Sequence, residues 1–219
     1  MDSFTDERNS WYNAVRLEDS HDYSSATLSY IEDASLCLGR SLFTRAAMSS
    51  SCAASCIATL GDATAALKLY STAASLYEHN GDLSLGKSLR ESLWSLLHAF
   101  EYFTLVSDHL SAERVSKKYA DLARRVDRFE ANSVFDALKV RRESVLEARS
   151  DLSPPNGFVE KNVPESSKIQ HSVESFLQQV ETMVMGVSEE TEFEEIPELE
   201  KDNFDYESES DYNERRIVS

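Results

Sequence analysis

The sequence predicts an all-α protein. Residues 8–150 contain no proline, and the 219-residue chain holds only six Gly and four Pro, too few breakers for a turn-rich β fold. Apolar residues recur at steps of three and four: Leu89, Leu93, Leu96, Phe100 and Phe103 fall on one stripe, which is the period of a buried helix face. With 41% hydrophobic residues, the chain can build a core.

Taken in order, residues 1–7 read as a flexible N-terminus. Helices are expected at 8–19, 23–38, 42–60, 62–79, 84–106, 110–128 and 130–149, making a helical domain over 8–150. Gly61-Asp62 and Asn80-Gly81-Asp82 read as stop-and-start signals. The glycine takes a left-handed C-cap, and the aspartate accepts from the free N–H groups of the next helix. His79 then meets the negative C-terminus of its helix. Trp94, His98 and Leu105 lie on a second face of the 84–106 helix, which predicts an interior position with one His98 ring nitrogen satisfied. Asp151-Leu152-Ser153-Pro154-Pro155-Asn156-Gly157 cannot continue a helix, so 151–165 is a Pro-containing linker. Residues 166–186 form an amphipathic helix with Ile169, Val173, Phe176, Val180 and Met183 on one side. A stripe of that width leaves water by folding back on the body, by pairing with a second copy, or by entering a partner's groove. Residues 187–219 read as a disordered acidic tail: from Glu189 onward, thirteen acids stand against three bases, and few aliphatics are available for a core.

Residues 61–77 resemble the second helix of a tetratricopeptide repeat, whose signature is a small residue, an aromatic four later and a small residue three beyond. Ala66, Tyr70 and Ala73 match it; Ala26 with Tyr30 resembles the same helix in a preceding unit, with Trp11 where its first helix begins, and Ala112 through Tyr119 and Ala123 a third. The unit steps, 40 from Ala26 to Ala66 and 46 from Ala66 to Ala112, exceed the repeat's usual spacing of about 34. The Leu-Gly pair and the closing proline are missing. The longer steps are more similar to longer-helix relatives such as the soluble attachment proteins that serve membrane-fusion ATPases. The resemblance implies antiparallel hairpins stacked as a short right-handed solenoid, with the first helices lining a concave surface for a peptide or partner helix.

The remaining chemistry argues by exclusion. A net charge of −17 disfavours nucleic acid and anionic membrane surfaces, both of which are held through Lys and Arg. No apolar run is long enough to span a bilayer, and the first residues carry no basic or apolar signal region, so no integral membrane association is expected. Three cysteines, Cys37, Cys52 and Cys56, are too sparse for a disulfide scaffold, which makes a reducing cytoplasm the expected location. Cys52 and Cys56 share a helix face but lack a second ligand pair, so they read as core packing rather than zinc ligands. No nucleophile elbow or phosphate loop is present, and the paired carboxylates sit in the solvated tail. No cofactor, metal or enzymatic activity is expected. Nine basic residues lie between Lys117 and Arg149, mostly as solvated helix faces. In the tail, Phe193-Glu194-Glu195-Ile196 has the form of a short docking motif, and Ser208 and Ser210 are candidate phosphoacceptors.

The chain therefore reads as a non-enzymatic adaptor that binds other proteins through a helical surface. Exposed positions of the first helices (Asn13, Arg16, Arg45 and Ser49), with Arg90, are the expected contacts. One alternative is a regulatory bundle that forms a homo-oligomer through 166–186, with Phe176 and Val180 at its seam. Another is an adaptor of the membrane-trafficking type.

Overall fold

A computed structural model describes residues 9–126, 131–150 and 166–185. The chain divides after Ser188 into two units, and every described residue belongs to the first. The expected N-terminal segment 1–7, the linker 151–165 and the tail 187–219 lie outside the described residues.

All regular structure among the described residues is helical: α1 (Ser10–Asp19), α2 (Tyr23–Leu38), α3 (Phe43–Thr59), α4 (Ala63–Ser84), α5 (Leu89–Leu105), α6 (His109–Val126), α7 (Ala131–Ser150) and α8 (Ser166–Met185). From α1 to α6 each helix packs against the next. No helix among them is long and apolar enough to cross a membrane.

One turn is used three times, from α1 to α2, from α3 to α4 and from α5 to α6. Each contains a residue in the left-handed region (His21 at φ 63°, Gly61 at 93°, Ser107 at 63°) followed by an aspartate. The aspartate N–H donates back to a carbonyl of the finished helix: Asp22 to Leu17 at 2.9 Å, Asp62 to Ile57 at 3.2 Å, Asp108 to Phe103 at 2.9 Å. Its carboxylate accepts the N–H three residues on, from Ser25 (3.2 Å), Ala65 (2.9 Å) and Ser111 (3.1 Å). The same residues thus close one helix and open the next, satisfying end groups that would otherwise be orphaned.

Buried alanines follow in a fixed register, four and twelve residues after each aspartate: Ala26 and Ala34, Ala66 and Ala74, Ala112 and Ala120. A methyl side chain at these points lets a neighbouring helix approach closely. Ala120 thus shares a register with Ala34 and Ala74. Tyr30 and Tyr70, each four residues after the first alanine of its helix, are buried. Trp11 meets Tyr30 edge-on at 5.3 Å between ring centroids, and the Tyr30 hydroxyl donates to Glu18 Oε2 at 2.6 Å.

The structure corrects the sequence reading around Gly81. Helix α4 does not stop at Asn80-Gly81; it runs on to Ser84. Gly81 is buried and helical, and a Cβ there would lie 3.0 Å from Leu96 Cγ. The missing side chain admits α5, whose Ser92 Oγ donates to the Gly81 carbonyl at 2.7 Å. His79 is consequently not at a helix end. Its ring packs edge-on against Phe43, 4.6 Å between centroids. The interior reading of α5 also needs amendment, because Trp94 is 42% exposed while Leu96, Phe100 and Phe103 are buried.

Helix α7 packs on α5 and α6, and α8 lies across α2 and α4. Ile169, Val173, Phe176 and Val180 are buried there, Phe176 completely. Of the three ways to cover this stripe, folding back is the one seen. Burying the phenyl ring stabilises the contact by about 2–3 kcal/mol. A homo-oligomer built on the same stripe would require α8 to leave the body.

Candidate functional site

The N-terminal turns of α1, α3 and α5 open on one groove of about 480 Å³. Its walls are Trp11 of α1, Ser41 and Leu42 before α3, Phe43, Thr44, Arg45 and Met48 at the start of α3, Asn80 of α4, and Glu91 of α5. Leu42 and Met48 present apolar side chains 48% and 40% exposed. Ser41 adopts φ 57°, and the Leu42 N–H donates to the Cys37 carbonyl at 2.9 Å. This tight reversal holds Leu42 at the rim instead of in the core.

A buried carboxylate fixes the groove's cation. Asp33 of α2 is 4% exposed and receives Arg45 Nε at 3.2 Å and Nη2 at 2.9 Å, a two-point contact across α2 and α3. Ser49 Oγ donates to the same carboxylate at 2.6 Å, and Arg45 Nη2 also donates to Asn9 Oδ1 at 3.1 Å. A paired guanidinium of this kind is held in one geometry. Arg45 therefore offers a ligand an oriented rather than a mobile charge. The neighbouring Cys37 thiol is pushed up to about 11, first by burial and then by the Asp33 charge.

Two further polar groups are set in place. Asn80 Nδ2 donates to Ser95 Oγ at 2.9 Å and to Glu91 Oε1 at 3.3 Å, which ties the Glu91 carboxylate to the wall. Thr44 Oγ1 is shielded from solvent and makes no hydrogen bond among the described residues. A buried hydroxyl without a partner is unfavourable by about 1–3 kcal/mol.

Of the residues singled out from sequence, Arg45 lines this groove. Ser49 does not: it is fully buried, because its hydroxyl serves Asp33. Asn13 is exposed and its amide donates to Ser29 Oγ at 3.3 Å. Arg16 and Arg90 are exposed as well, and neither lines the groove. Phe176 and Val180 are buried against α2 and α4. Sequence reasoning did not select Leu42, Thr44, Met48 or Glu91. Met48 stands one helical turn after Arg45, so the period that picked Arg45 also reaches it.

Beside the groove's helices runs an aromatic layer. Tyr77 of α4 stacks on Tyr102 of α5 at 5.9 Å and contacts Trp94 at 5.6 Å and His98 at 5.3 Å. Tyr70 also stacks on Tyr102, at 5.7 Å. As expected for His98, one ring nitrogen is satisfied, with Nδ1 3.0 Å from Glu101 Oε2. Burial pushes Glu101 upward, but the bonds from His98 and Arg141 outweigh it and hold the carboxyl below its usual range. Burial also raises Tyr70 to about 12, Cys52 to about 11 and Cys56 to about 12, which keeps these hydroxyl and thiol groups protonated at neutral pH. Among the described residues no group of three or more His, Cys, Asp or Glu is placed to hold a metal ion.

No family model, curated protein or solved structure matches the chain.

Proposed function

We propose that this chain is a non-enzymatic protein-binding scaffold. The pairs α1–α2, α3–α4 and α5–α6 act as three tetratricopeptide-like hairpins stacked in a short solenoid, and the groove at the first helices takes an extended peptide or a partner helix. The observation that carries the reading is the turn used three times, with its aspartate cap and its alanines four and twelve residues later. Such repetition is what a stack of equivalent units requires, and it persists although the steps between units differ.

The groove's composition supports the same reading. Trp11, Leu42 and Met48 supply apolar contact; Arg45 and Glu91 supply oriented polar contact. A mixed surface of this kind suits a peptide that presents apolar anchors and main-chain amides together.

The test is panning of a random peptide display library on the immobilised full-length chain. Enriched peptides with spaced apolar anchors should bind the wild type and lose about tenfold or more in affinity to a Leu42→Asp/Met48→Asp variant whose circular dichroism is unchanged. Enrichment of peptides that bind this variant equally well would place recognition elsewhere, and an absence of enrichment would remove the reading.

A further inference from the structure

A second hollow, of about 420 Å³, lies between α5, α6 and α7. Its apolar floor is Phe100, Ala112 and Leu138, all buried, and Phe135 stands in its wall 45% exposed. Lys139 and Arg142 are the cations at its edge. Helical spacing sets Phe135, Leu138, Lys139 and Arg142 on one stripe of α7 and extends it to Leu146, which is 39% exposed.

The charges here differ from those around them. Arg114 and Lys118 are paired with Glu78, Lys118 also with Asp82, and Arg141 with Glu101. Glu113 also lines the hollow, but its carboxylate is engaged by Lys117 at 2.8 Å. Lys139 and Arg142, in contrast, form no ion pair among the described residues. Two cations without a carboxylate partner among the described residues thus border a hollow whose exposed apolar wall is Phe135, in a chain whose net charge is −17.

We infer that this hollow is a docking site for an acidic peptide segment of a partner protein that carries an aromatic or large aliphatic anchor. The anchor packs on Phe100, Leu138 and Phe135, and carboxylates on either side of it meet Lys139 and Arg142. Charge complementarity selects the acidic partner: Lys139 and Arg142 orient and attract it, while the buried anchor supplies most of the affinity. The inference is independent of the groove at the first helices, because it rests on a different hollow formed by different side chains.

Fluorescence anisotropy of the full-length chain with a fluorescein-labelled Glu-Glu-Phe-Glu-Glu-Leu peptide tests it. Binding is expected, and it should weaken by about tenfold in the Lys139→Glu/Arg142→Glu variant and weaken as salt rises. Replacing the peptide's Phe by Ser should cost a similar factor, and Phe135→Ser in the protein should weaken binding without reducing its salt dependence. No binding to the wild type at low salt, equal binding by the charge-reversed variant, or equal binding of a peptide with Gln for Glu would each overturn the proposal. Light scattering that showed a dimer lost in the charge-reversed variant would overturn it too, in favour of a second copy of this chain as the occupant.

Discussion

Gly81 shows how one missing methyl group sets the spacing of two helices. In an isolated helix, alanine in place of glycine is worth about 1 kcal/mol. At this position the added Cβ would lie 3.0 Å from Leu96 Cγ and 3.4 Å from the Ser92 carbonyl. Leu96 is 3% exposed, so its side chain has little free space in which to give way. Overpacking of this kind costs about 1–3 kcal/mol, so crowding wins over propensity. Urea unfolding should find Gly81→Ala less stable than the wild type by about 1 kcal/mol. A more stable variant would mean that Leu96 can repack freely. The Asp33–Arg45–Ser49 cluster makes the same point for polar residues: a carboxylate that composition alone would place in water is buried because three donors on α2 and α3 converge on it.

At the scale of the element, the extension of α4 past Gly81 moves His79 from a helix end to a helix interior, where its ring leans on Phe43. The sign of its pH response follows. Burial lowers its pKa below the ordinary 6.5, and the nearby Asp82 charge opposes that only in part. Between 6.5 and the lower folded value, the unfolded chain holds a proton on His79 that the folded chain does not. Stability therefore rises with pH across this window and falls as the solution is acidified through it. Urea titrations at a series of pH values from neutral to mildly acidic should show a smaller loss of stability for His79→Leu than for the wild type. Had His79 lain at a helix C-terminus, its proton would have been favoured and the slope would have the opposite sign.

For the molecule as a whole, α8 is the element that decides compactness, because it is distant in sequence from α2 and α4 yet lies across both. Phe176 is its fully buried side chain. Phe176→Ala should destabilise the chain by about 3–5 kcal/mol through lost transfer energy and the cavity left behind. Hydrogen exchange should then show α8 amides losing protection first. If α8 exchanged as fast in the wild type as in the variant, its packing on the body would contribute little to stability. In the proposed scaffold α8 braces α2 and α4, while the groove is formed by α1, α3 and α5 with Asn80 of α4.

Much of this architecture can be read from the chain alone, since helix period, proline placement and capping chemistry act between residues close in sequence. The spans of α2 and α8, the Gly61-Asp62 turn and the buried stripe of α8 are of this local kind. The Gly81 region could not be read that way: Asn-Gly-Asp is a stop signal in isolation, and only the arrival of Ser92 and Leu96 from α5 makes a helical glycine favourable there. Ser49 was misplaced for a similar reason, because its partner Asp33 sits sixteen residues earlier on another helix. The choice among three covers for the α8 stripe, and the meeting of Trp11, Leu42, Met48 and Glu91 at one groove, depend on contacts between distant segments. Local patterns decided which helices form; close packing between helices decided which side chains they leave exposed.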